Sequence, residues 1–162
     1  MTAMSRQRSR IPAAAMLACL LAGAVPAAFA ATTEHIVVDR HSGLAISGFD
    51  PVAYFTDQAA RQGKRDYEYH YRGATWRFRS EGNLAAFAGD PATYAPQFGG
   101  YDPLSAARGV GAPGHPALFR IHEKRLYLFY TADSRDAFAA DPEGAIARAR
   151  EGWPAVLRTL VP

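Results

Sequence analysis

A site in this chain would have to be built from its histidines, serines, carboxylates and single cysteine, and their spacing limits what each can do. The five histidines are His35, His41, His70, His115 and His122. None pairs with another at the i, i+4 spacing of a helical metal site, and none stands beside a cysteine. His70 and His122 fall in strand-like segments and His115 in a Gly/Pro-rich stretch. These three are the weak alternative set of metal ligands.

Nucleophilic catalysis finds little support. Ser42, Ser47, Ser80, Ser105 and Ser134 all lie outside a G-x-S-x-G setting. Asp50, Asp90 and Asp141 each precede proline, an arrangement that suits a helix N-cap followed by proline at the first helical position. Gly109-Val110-Gly111 lacks the Lys and Ser/Thr of a phosphate-cradling loop. The chain therefore reads as a non-enzyme with no cofactor; an enzyme of unrecognised class is the remote alternative.

The elements that would position these groups show a repeat. A shift of 51 positions brings Trp76 onto Tyr127, Phe78 onto Phe129, Phe87 onto Phe138 and Asp90-Pro91 onto Asp141-Pro142. Each copy predicts a β-hairpin followed by a helix. In the first, Tyr67, Tyr69 and Tyr71 alternate with polar residues, Arg72-Gly73 supplies a turn, and Trp76 and Phe78 share one face. Ser80 is the expected cap of the first helix, and Thr131 or Asp133 of the second. A longer helix runs from Pro142 toward Leu157, with Gly152 and Pro154 expected to kink or end it. The fold class is α+β, a small single domain of two hairpin-plus-helix units related by the 51-residue repeat. Between the copies, Pro96 to Pro116 reads as a long loop, PQFGGYDPLSAARGVGAPGHP.

The N-terminus carries Arg6, Arg8 and Arg10, then an apolar run from Ile11 to Val25, then Ala28-Phe29-Ala30. That is the order of a secretory signal peptide, so residues 1–30 are expected to be removed, 31–43 to form an exposed leader and 44–160 the domain. Cys19 leaves with the signal; the residues before it fit a lipidation signal poorly. Loss of the three arginines leaves 15 basic side chains against 15 acidic ones. Zero net charge gives no support to nucleic-acid binding, and no membrane span is expected after cleavage.

Three segments, GFDPVAYF (48–55), YRGATWRFRS (71–80) and FAGDPATYAPQFGGY (87–101), together resemble the YHS domain family. The likeness runs from about residue 44 to 157. It implies a small α+β fold and, for many relatives, a role linked to metals. In those relatives cysteines follow D-P-V, stand between the Phe and Ser that end the second strand, and occupy the first helical turn. Here these positions hold Ala53, Arg79 and Asn83. Exported relatives often carry a further cysteine after Gly-Gly-Tyr, where this chain has Asp102.

Without thiolates a soft-metal site is lost. Arg79, Asn83, Phe98, Gly100, Tyr101 and Asp102 are instead expected to form a ligand site where the long loop meets the first strand-to-helix corner. Tyr54 and Tyr94 are assigned to the core. The reading is an exported binding module, periplasmic or secreted, for a small polar or anionic ligand or a periplasmic protein partner. Weak histidine/carboxylate metal binding is the alternative. N-terminal sequencing of the exported protein is expected to begin near Ala31; an intact segment 1–30 would contradict export.

Overall fold

Alternating aromatic and polar residues make hairpins here because one face of each strand has a helix to pack against. A computed structural model describes residues 36–160. The signal-peptide reading and His35 lie outside the described residues.

The first hairpin pairs β1 (Lys64–Tyr71) with β2 (Ala74–Phe78) in antiparallel register, interrupted by an irregularity between Lys64 and Glu68. Its turn places Arg72 and Gly73 at φ 51° and 74°, the two left-handed residues of a hairpin turn whose twist matches the strands. Ser80 then accepts a hydrogen bond from the Asn83 N–H and starts α2 (Glu81–Gly89). Phe87 is fully buried among Trp76, Phe78 and Tyr71, at ring-centroid distances of 5.0, 5.2 and 5.7 Å. Asp90 caps the short α3 (Pro91–Tyr94).

The second hairpin pairs β3 (His115–His122) with β4 (Arg125–Phe129), with its irregularity between His115 and Phe119. Glu123 and Lys124 make the turn, both at positive φ. Thr131, rather than Asp133, caps α5 (Ala132–Ala140) through the Ser134 N–H. Phe138 sits against Tyr127, Phe129 and His122 at 4.9, 5.1 and 6.1 Å. The two sheets have two strands each.

β4 joins the two cores, because it is buried on both faces. Leu126 and Leu128 point into the cluster of Tyr54, Trp76, Phe78 and Phe87, while Tyr127 and Phe129 point into that of Phe138, Ala145 and Ile146. This period-2 division sends Tyr127 toward the last helix.

Three expectations change in the structure. Segment 96–116 is ordered: a tight turn at Gln97–Gly100 leads into α4 (Pro103–Ala106), capped by Asp102, and Tyr101 bridges to Pro113. The leader is not wholly exposed, since Ile36 is buried and the Val37 N–H donates to the Gly99 carbonyl. Finally, α6 (Pro142–Leu160) runs on through Pro154. Its inner face carries Ala145, Ile146, Ala149 and Val156 into the core, and this burial outweighs the hydrogen bond that a proline removes. Gly152 serves close packing there, because a Cβ would collide with the Ala106 carbonyl oxygen of α4.

Candidate functional site

The first strand-to-helix corner is organised by Asp50, whose carboxylate is fully buried. One oxygen accepts from the N–H groups of Val52 and Ala53 at 2.8 and 3.3 Å, just ahead of and at the start of α1 (Ala53–Thr56). The other accepts from the Arg79 N–H at 2.8 Å and from Asn83 Nδ2 at 2.7 Å. Ala53, Arg79 and Asn83, the positions at which the resemblance puts cysteines, thus converge on one carboxylate. They offer it a backbone N–H, a second backbone N–H and a carboxamide. No thiolate is present, and the carboxylate is occupied by four donors, so these residues do not fit a soft metal.

Nor is the corner open to another ligand in the way the sequence suggests. The Arg79 guanidinium bonds Asp57 at 2.9 Å, and the Asn83 carboxamide is held by Asp50. Arg77 is likewise paired, across the hairpin, with Glu68 at 2.7 Å. Tyr54 lies fully buried beside this corner and donates to the Pro116 carbonyl at 2.9 Å. Burial, helped by the negative charge of Asp50, raises its pKa above the ordinary tyrosine range. Tyr94 is only half-buried, edge-on to Phe55 at 5.3 Å.

The other expected site residues lie elsewhere. Asp102, also fully buried, holds the second corner: it accepts from the Leu104 and Ser105 N–H groups at 2.7 and 3.0 Å and from the Tyr130 N–H at 2.8 Å. Gly100 is buried, its carbonyl accepting from the Gly114 N–H. Phe98 meets Trp153 of α6 edge-on at 5.5 Å, and Tyr101 meets it at a tilt at 5.9 Å. Burial raises the Tyr101 pKa, with Arg40 acting in the opposite sense. The structure therefore joins Arg79 to Asn83, and Phe98 to Tyr101, and gives Asp102 a corner of its own.

An open groove of about 650 Å³ lies between the first hairpin turn, α3, β4 and α6, lined among others by Arg72, Gln97, Glu123, Arg125, Tyr127 and Glu143. Arg150 lines it too, and continues into an adjoining lobe of about 170 Å³ with Gln97, Phe98, Tyr127, Ile146 and Trp153. Of the residues expected from sequence, only Phe98 borders it.

Tyr127 is the distinctive group in this groove. Its relative exposure is 4%, yet its hydroxyl has no hydrogen-bond partner among the described residues. Since no fully enclosed polar side-chain atom among them is left unpaired, that hydroxyl must open to the groove. Burial raises its pKa, while Arg150 and Arg125 oppose the rise; it remains a protonated donor at neutral pH. Arg150 forms no ion pair or hydrogen bond among the described residues, and neither does the Gln97 carboxamide. Arg125 is partly committed, donating to the Ala92 carbonyl at 2.6 Å.

Of the three histidines weighed as ligands, His70 is exposed on β1 and His115 accepts from the Ala117 N–H at 3.2 Å. His122 alone meets other donors: its Nε2 lies 2.7 Å from Glu143 Oε1. His122, Glu123 and Glu143 each bring one ligand atom within 4.8 Å of the others.

Two capped hairpins around a doubly buried strand define a small α+β domain. Within it, residues 52–98 match the family model of the YHS domain. The match spans the first hairpin-helix unit and stops at Phe98, so the groove residues from the second hairpin and α6 lie beyond it. No curated protein and no solved structure matches the chain. No helix among the described residues is long and apolar enough to cross a membrane.

The two corner aspartates are expected to matter for stability. Asp50→Ala and Asp102→Ala would each strand several buried N–H donors and lower the unfolding free energy by about 3 kcal/mol, whereas Asp66→Ala on the exposed strand should change it by less than about 0.5 kcal/mol. Urea melts measure this; a loss below about 1 kcal/mol at either corner would contradict the role assigned to it.

Proposed function

We propose that this chain is an exported, non-catalytic binding module, periplasmic or secreted, that holds a small anionic ligand in the groove beside α6. The observation that carries the proposal is the Tyr127 hydroxyl, which opens to the groove from an otherwise buried residue and has no protein acceptor among the described residues. A hydroxyl in such a position gains about 1 kcal/mol or more from an acceptor it does not now have. Arg150 and Gln97 flank it with further uncommitted donors. Three donors converging on one space suit an acceptor-rich ligand, and the guanidinium fork suits a carboxylate best.

The adjoining lobe narrows the class. Phe98, Ile146 and Trp153 give it an apolar wall, so the ligand that fits both parts is a carboxylate on a small apolar or aromatic body. The acidic pair Glu123 and Glu143 at the other end favours the carboxylate lying toward Arg150.

Binding rather than turnover is supported by how the reactive groups are used. Ser80 Oγ and Thr131 Oγ1 cap helices, and the buried carboxylates of Asp50 and Asp102 are saturated with backbone and amide donors. The proposal includes the repeat: the hairpin-helix units are two copies of one 51-residue element, supported by β1 and β3 starting at Lys64 and His115 and α2 and α5 at Glu81 and Ala132. In this reading the first copy keeps the YHS sequence and the second supplies Tyr127 to the groove.

Benzoate is a suitable probe, with Trp153 fluorescence as the readout and Trp76, fully buried in the first core, as constant background. Saturable quenching is expected. Arg150→Ala should weaken it about 10-fold or more by loss of a charge-assisted hydrogen bond, and Tyr127→Phe several-fold with little change in melting temperature. Equal affinity in wild type and both variants, or no saturable binding, would refute the proposal.

A further inference from the structure

We infer that His122, Glu123 and Glu143 form a divalent-cation site at the rim of the groove. The three come from two segments: the adjacent His122 and Glu123, where β3 runs into the hairpin turn, and Glu143 in the first turn of α6. Their ligand atoms lie within 4.8 Å of one another. Ligands about 2.0–2.2 Å from a first-row cation stand roughly 3–4.4 Å apart, so only small side-chain rotations are needed.

Those rotations are available where they are needed. The Glu143 side chain is 72% exposed and the His122 side chain 28%. The imidazole is meanwhile oriented by Phe138, whose ring meets it nearly at right angles, 86°. A cation entering between His122 Nε2 and Glu143 Oε1 takes the place of the hydrogen they now share. Arg125 is the cationic neighbour that would oppose this, but its guanidinium donates to the Ala92 carbonyl on α3.

A cluster of one imidazole and two carboxylates on a surface does not by itself demand a metal, since exposed His–Glu pairs are common. The second observation is that Glu123 and Glu143 open onto the same groove as the unpartnered Tyr127 hydroxyl. Nitrogen and oxygen donors without sulfur select a cation of intermediate hardness, such as Zn²⁺ or Mn²⁺, over a soft one. Three protein ligands leave coordination positions open. Resting on the ligand reading above, an anion bound at Tyr127 and Arg150 would occupy the same groove that Glu123 and Glu143 line, which makes the groove one for a cation together with an acidic ligand.

This site is independent of the cysteine positions of the first unit. It uses residues beyond the segment matched to the YHS domain, and of the three histidines read from sequence it uses only His122.

Calorimetric titration with Zn²⁺ alone, in a buffer free of chelating anions, tests the site. One saturable equivalent is expected. Glu143→Gln, at an exposed position where folding is not at risk, and His122→Ala should each weaken uptake at least 10-fold, while His70→Ala and His115→Ala leave it unchanged. Absence of saturable uptake, or uptake undiminished in both Glu143→Gln and His122→Ala, would overturn the inference. Arg150→Ala separates the two readings: Zn²⁺ uptake retained in that variant, whatever its benzoate binding, supports the cation site on its own, whereas Zn²⁺ uptake lost with Arg150 would place the cation elsewhere.

Discussion

The fold depends on two aspartates whose carboxyl groups are buried out of water. A buried carboxylate costs several kcal/mol unless its lone pairs are met by donors, and in Asp50 they are met by three backbone N–H groups and one carboxamide. The four donors come from three parts of the chain: two from the entry to α1, one from the end of β2 and one from the first turn of α2. Satisfying the carboxylate therefore fixes how strand, loop and helix meet. Asp102 does the same for α4 and the end of β4. The demand that keeps each corner rigid also commits both carboxylates and the Asn83 carboxamide to structure.

The consequence reaches the groove through β4. With Tyr130 tied by its N–H to Asp102, the strand ahead of it is fixed in register, Leu126 and Leu128 enter one core, and Tyr127 and Phe129 the other. Tyr127 cannot turn away from α6 without exposing Phe129 or breaking the Asp102 corner. Its hydroxyl is thus held at the edge of the apolar core, where Arg150 and Gln97 reach the same space. Polar groups held apart from their usual protein partners are what a binding site requires; at the Asp50 corner the same kinds of groups are consumed by structure.

Much of the scaffold was legible in the sequence, and for physical reasons. Alternating aromatics gave the hairpins, and Ser80 and Thr131 gave the helix starts, because these signals are local. Pro154 misled: a helix interior normally rejects proline, but the local rule ignores the tertiary burial of Ile146, Ala149 and Val156 that holds α6 together. The site was harder. Arg79 and Asn83 do meet, at Asp50, yet sequence cannot say that Asp57 and Asp50 have already claimed their side chains. The groove draws Gln97, Tyr127, Glu143 and Arg150 from three distant segments, and its meaning lies in which polar groups lack partners. Of the expected ligand residues only Phe98 borders it. Tyr127 had been visible only as the counterpart of Trp76, an aromatic core position; its hydroxyl, which Trp76 does not have, was the one available signal.

The central claim is that ligand binding belongs to the groove and not to the Asp50 corner, and side-chain amide resonances distinguish the two within one spectrum. In a nuclear magnetic resonance titration of the ¹⁵N-labelled protein with benzoate, the Gln97 carboxamide and the Arg150 Nε–H signals should move together and saturate, while the Asn83 carboxamide and the Arg79 Nε–H signals stay in place. Movement of Asn83 and Arg79 with Gln97 and Arg150 unmoved would contradict the account.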